Sequence, residues 1–103
     1  VQDLDQNVME KLKHRNDALI FVHSPFCGTC HLAREMLTVV EEMYNEGVFY
    51  ECNASLNPDF MREYQIESVP CLFIKSDGEM TDKIYAFHSV PYLFEKVDRY
   101  VKK

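Results

Sequence analysis

Two cysteines separated by two residues, Cys27-Gly28-Thr29-Cys30, stand where the apolar run Leu19-Ile20-Phe21-Val22 hands over to a long stretch of helical periodicity. That junction constrains the fold more than any other feature of the chain. A strand that feeds directly into a helix sets the first sulfur at a helix N-terminus, where unpaired N–H groups and the macrodipole favour a thiolate. The thiolate is the form that attacks disulfides. The spacing puts the second thiol about one helical turn away, close enough to resolve a mixed disulfide. The chain therefore reads first as a dithiol redox protein.

At 103 residues, 47% of them hydrophobic, the chain is expected to form one domain, residues 1–103, with a core that needs no metal or disulfide staple. Eleven basic against seventeen acidic residues leave a net charge of −6 with no basic cluster, which argues against a nucleic-acid partner. No apolar stretch approaches the roughly 20 residues of a membrane helix, so no membrane partner is expected. The amino terminus shows no signal-peptide pattern, although a start at Val1 is compatible with a removed leader. A cytoplasmic monomer is the expectation.

The four cysteines are compatible with two disulfides, a metal site, or one working pair and two bystanders. A small secreted disulfide scaffold would be denser in cysteine and poorer in core residues. A zinc site drawn from Cys27, Cys30, Cys52, Cys71 and His31 fails on spacing, because Cys52 and Cys71 form no second C-x-x-C and each falls in a predicted core strand. Cys52 and Cys71 read instead as small buried core residues, with Cys71, beside Pro70, as a candidate third thiol.

Periodicity supplies the rest of the layout. Leu4, Val8, Met9 and Leu12 predict an opening helix capped by Asp3 or Asp5. Residues 18–23 read as a buried strand, and 28–46 as a helix stopped by Gly47. Strands follow over 48–52, 71–74 and 83–87, with a short helix from Pro58 to about Tyr64 and a hairpin turn at Ser76-Asp77-Gly78-Glu79. Ser89 and Pro91 begin a closing helix whose inner face is Leu93, Val97, Tyr100 and Val101.

This layout, with Phe26-Cys27-Gly28-Thr29-Cys30 followed some forty residues on by Val69-Pro70, resembles the thioredoxin family over essentially the whole chain. The resemblance implies an α/β thioredoxin fold: a central four-stranded mixed sheet with helices on both faces. It also implies a cis peptide before Pro70 beside the dithiol, and a Val69 backbone offered to an extended substrate segment by strand addition. Phe26, Gly28 and Thr29 then form the active-site loop, and Val69, Pro70 and Phe87 the substrate groove.

Several positions depart from the family pattern. Phe21 stands where a buried aspartate is usual, and Glu51 where a lysine is usual on the neighbouring strand. Glu51 is thus a candidate acceptor for the proton of Cys30, against the alternative of a solvated strand-end glutamate. His23 replaces a tryptophan; with His31 it flanks the motif, and either imidazole, protonated, would favour the Cys27 thiolate. Thr29 replaces the proline between the cysteines. Glu35 replaces a helix-kinking proline, which predicts a straighter helix. Ala86-Phe87 replaces a groove glycine and predicts a narrower groove.

The expected activity is thiol–disulfide exchange that reduces protein disulfides, with Cys27 as nucleophile and Cys30 as resolving thiol. It needs no cofactor and no metal. Its partners are disulfide-containing proteins and a regenerating reductase or small thiol. Removal of small-thiol caps through Cys27 alone is a variant of that chemistry, and a redox-idle binding module is the alternative class.

Overall fold

A strand that is apolar on both faces is stable only where both faces are covered, and the fold is organised around one. The computed structural model describes residues 2–5 (backbone only), 7–45 and 47–101. Its elements run β1 (Gln2–Asp5), α1 (Val8–Leu12), β2 (Ala18–His23), α2 (Gly28–Tyr44), β3 (Tyr50–Asn53), a single 3-10 turn at Ala54–Leu56, α3 (Pro58–Glu63), β4 (Cys71–Ser76), β5 (Glu79–Ile84) and α4 (Val90–Val101). The sheet order is β1-β3-β2-β4-β5. β3 runs parallel to both β1 and β2, β4 is antiparallel to β2, and β5 is antiparallel to β4.

β2 lies at the centre, and side-chain alternation divides its residues between two cores. Leu19 and Phe21 pack with Leu37 and Val40 of α2 and Leu93 and Val97 of α4. Ile20 and Val22 pack on the opposite face with Val8 and Leu12 of α1 and Phe60 of α3. Helices therefore cover both faces, and the four strands expected from the sequence are β2 to β5.

The fifth strand, β1, takes residues that helical periodicity assigned to the opening helix. Leu4 belongs to β1, and α1 begins only at Val8. The free edge of β3 offers residues 2–5 a row of backbone partners, which outweighs a weak local helical signal. The side chains of Asp3 and Asp5, the expected caps, lie outside the described residues. Asn57, 49 residues along the chain, accepts the Val8 N–H through Oδ1 at 3.1 Å instead.

Other boundaries shift for local reasons. Asn45, with φ 58°, ends α2 in the left-handed conformation two residues ahead of Gly47; Glu46 lies outside the described residues. Asp77 and Gly78 both have positive φ, and this two-residue turn pairs Ser76 directly with Glu79. β5 therefore starts at Glu79 and ends at Ile84, ahead of the expected 83–87. Ser89 caps α4 as expected, its Oγ accepting the Tyr92 N–H at 3.2 Å.

One buried carboxylate holds the approach to β3. Glu41, on α2, accepts the N–H groups of Val48 and Phe49 through Oε2 at 2.9 and 3.0 Å. Leaving those two donors unpaired costs desolvation as well as the bonds. Glu41→Ala is expected to lower unfolding stability by about 2 kcal/mol, and Glu41→Gln, which keeps an acceptor oxygen, by less; urea unfolding of the three proteins measures both.

Candidate active site

After His23 the chain turns at once, with the Cys27 N–H donating to the Ser24 carbonyl at 3.2 Å. Cys27 is the residue that caps α2, and Gly28 begins the helix. The Cys27 sulfur thus sits at the N-terminus of a 17-residue helix, where first-turn N–H groups and the dipole stabilise negative charge. Cys27 is half-buried and Cys30 is 3% exposed. Their Cα atoms are 5.3 Å apart and the two sulfurs are joined in a disulfide. An accessible thiol in front of a buried one is the order that nucleophile and resolving thiol require.

The loop around the pair is open. Phe26 is 95% exposed, and a Cβ built on Gly28 would meet nothing within 4 Å. Thr29 Oγ1 lies 3.4 Å from Cys27 Sγ. The bonded sulfur carries no proton, so the hydroxyl is the donor. His31 is exposed on the first turns of α2, and the helix runs uninterrupted through Glu35.

The Val69–Pro70 peptide bond is cis. Its loop is braced by β5 and the residue that follows it, through side chains that local sequence patterns did not mark. Lys83 Nζ donates to the carbonyls of Tyr64 and Gln65 at 2.9 and 3.0 Å, and the Glu67 N–H donates to Tyr85 Oη at 3.2 Å. Phe87 turns inward, 7% exposed, with its ring edge against Phe21 at 6.2 Å between centroids. A cavity of about 570 Å³ remains, lined by Thr29, Leu32, Met36, Pro70, Phe87 and His88 among others. Ala86 is exposed.

Beneath the helix, Glu51 is directly opposite Phe21 in the sheet register. Its side chain is 20% exposed and accepts a hydrogen bond from Arg34 Nη2, while His23 Nε2 lies 3.2 Å from the same Oε1. Glu51 is thus paired with Arg34 and is not a solvated strand-end glutamate. The Arg34 guanidinium also lies over the Phe21 ring at 5.5 Å, and His23 stacks on that ring at 5.6 Å. Arg34 was missed in the sequence because an arginine on a helix reads by default as solvated. Its place four residues after Cys30, on the same helix face, is the signal that could have marked it.

Cys52 and Cys71 are paired in register with Val22 from its two sides, and both are fully buried in the core of α1 and α3. Cys30 belongs to the opposite core. The sheet separates these thiols from the dithiol, which removes Cys71 as a trap for Cys30 and breaks up the four-thiolate zinc set. Burial pushes the Cys71 thiol up to about 12, with Asp82 adding to it and Lys83 and a hydrogen bond from Tyr85 opposing it.

Comparison with known proteins places these features in a family. The family model described as Thioredoxin matches residues 1–99. The chain is 51% identical over 79 residues to the thioredoxin-like protein YusE of Bacillus subtilis (strain 168), covering 77% of this chain and 74% of that protein. It is 27% identical over 77 residues to thioredoxin of Listeria monocytogenes serovar 1/2a, covering 74% and 75%. Its fold is similar to that of mitochondrial thioredoxin 3 from Saccharomyces cerevisiae in its oxidized form, with a TM-score of 0.77 at 20% identity, covering 96% of this chain and 94% of the other.

A thiol held up near pH 12 stays protonated, and so unreactive, at any pH at which the protein is handled. In the reduced, folded protein at pH 8, iodoacetamide is expected to modify Cys27 and to leave Cys52 and Cys71 untouched until urea unfolds the chain. Peptide mass mapping reads out each site.

Proposed function

The chain belongs to the thioredoxin family and is a thiol–disulfide oxidoreductase, and on that premise we propose that it acts as a protein-disulfide reductase with Cys27 as nucleophile and Cys30 as resolving thiol. The observation that carries this reading is the half-buried Cys27 at the start of α2 with the buried Cys30 bonded behind it.

The reduced Cys27 thiolate attacks one sulfur of a substrate disulfide. A mixed disulfide forms and the other substrate sulfur leaves with its electron pair. Cys30 then attacks Cys27, closing the Cys27–Cys30 bond and releasing the second substrate thiol. A dithiol reductase or small thiol returns the pair to the reduced state. The reacting groups are all the protein's own, so the scheme calls for no cofactor.

Phe26, Gly28 and Thr29 frame the approach to Cys27. Val69, half-buried just before β4, supplies backbone groups to an extended substrate segment, and Pro70 with Phe87 forms the wall of the groove. Two buried cysteines outside the Cys27–Cys30 disulfide support a reducing compartment, the cytoplasm, as the place of action. The reading takes the protein as a monomer.

With a model protein disulfide and excess dithiothreitol, Cys27→Ser is expected to reduce turnover to background. Cys30→Ser is expected to accumulate a disulfide-linked adduct between Cys27 and the substrate, visible on a non-reducing gel. Full turnover by Cys30→Ser without an adduct would point to single-thiol decapping. Substrate binding retained by the doubly substituted protein, with no turnover by the wild type, would point to a binding module.

A further inference from the structure

Resolution of the mixed disulfide asks Cys30 to shed a proton, and a thiolate is costly at a site 3% exposed unless a nearby group takes that proton. Glu51 is paired with Arg34 and lies 3.2 Å from His23 Nε2, both through Oε1, and His23 is a second titratable group at this place.

Alternation along β2 sends Leu19, Phe21 and His23 to the face covered by α2, where Leu19 and Phe21 share a core with Cys30. His23 is the last residue of β2, and the turn from Ser24 to Cys27 brings the first turn of α2 back over that end of the strand. Glu51 is one alternation deeper, paired with Phe21, and Arg34 descends to it from one turn beyond Cys30. The imidazole therefore lies on the dithiol side of the carboxylate that holds it. Its side chain is 14% exposed.

Charged groups that face it among the described residues include Glu51 from β3 and Arg34 from α2. The ring stacks on Phe21, whose own neighbours on this face include the apolar Leu72 of β4 and Phe87. A titratable ring in such surroundings, steadied by a carboxylate, is suited to hold a proton for the duration of one chemical step.

We propose that His23 is the proton acceptor for Cys30 in the resolving step, with Glu51 and Arg34 as the positioning residues that orient its ring. This rests on the reading of Cys30 as the resolving thiol. As the S–H bond of Cys30 breaks, the proton passes to the imidazole. The Cys30 sulfur forms a bond to Cys27, the bond from Cys27 to the substrate sulfur breaks, and the substrate leaves as a thiolate that takes the proton back. The protein is oxidised by two electrons and the substrate reduced by two.

The test uses single turnovers of the reduced protein with an aromatic disulfide whose released thiolate is coloured. Attack by Cys27 releases the first equivalent and resolution by Cys30 the second. His23→Asn is expected to slow the second release at least about tenfold at pH 7 and to flatten its rise with pH. The first release should be little changed.

The positioning residues should move that rise in opposite directions. Glu51→Gln removes the carboxylate that favours the protonated ring and shifts the rise to lower pH. Arg34→Met removes a competing positive charge and shifts it to higher pH. Loss of these opposite shifts in a His23→Gln background, a second variant beside His23→Asn, assigns the titrating group to the imidazole, since the same two charges would move the Cys30 thiol alike. A wild-type pH profile in His23→Asn, equal slowing of both releases, or shifts of the same sign in Glu51→Gln and Arg34→Met would overturn the assignment. A second equivalent released by Cys30→Ser would instead overturn the reading of Cys30 on which it rests.

Discussion

The whole arrangement depends on the need to cover β2 on both faces. Its residues leave no side that tolerates water: Ile20, Phe21 and Val22 have no exposed surface. The chain meets that need with α2 and α4 on one side and α1 and α3 on the other. A helix laid over the strand that precedes it must begin at the strand's far end. The dithiol, placed at that junction by sequence, is thereby presented at the rim of the sheet with a helix N-terminus behind it. Burial of the strand and activation of the first sulfur are two results of one packing requirement.

The same sheet divides the sulfur chemistry. Cys27 and Cys30 gather on the α2 side, where one sulfur meets solvent, whereas Cys52 and Cys71 lie in a row on the other side with Val22 between them. Only two residues separate the two sulfurs of the working pair, while the others come from strands far apart in the chain. Cys71 follows Pro70 directly, and yet its side chain is on the wrong face to meet Cys30. In a strand a step of one residue reverses the side, so closeness along the backbone says nothing about access.

The polar cluster beneath α2 shows how an exchange of residue types can be made good by a third residue. Phe21 brings an aromatic ring to the middle of β2, and Glu51 brings an acid to the adjoining strand. The charge of that acid would be costly there alone. Arg34 meets it from the helix and also lies on the Phe21 ring, and His23 closes the group from the end of β2. Phe21, Glu51, His23 and Arg34 belong to three different elements, and no short window of the chain contains them together.

Local signals carried the central strand, the active-site helix, the hairpin turn at Asp77-Gly78 and the cap at Ser89, because each depends on residues within a few positions of one another. They did not carry β1, whose four residues are a strand only because β3 has a free edge. Nor did they carry the Asn57 side chain at the start of α1, or the bracing of the Pro70 loop by Lys83 and Tyr85, since these partners are separated by many residues. By itself the sequence determined the dithiol, its spacing and its position between a strand and a helix. The tertiary structure alone decided which face each remaining cysteine occupies and which charges meet beneath Cys30. Those outcomes follow from strand register and helix docking, which bring together groups that local periodicity cannot relate.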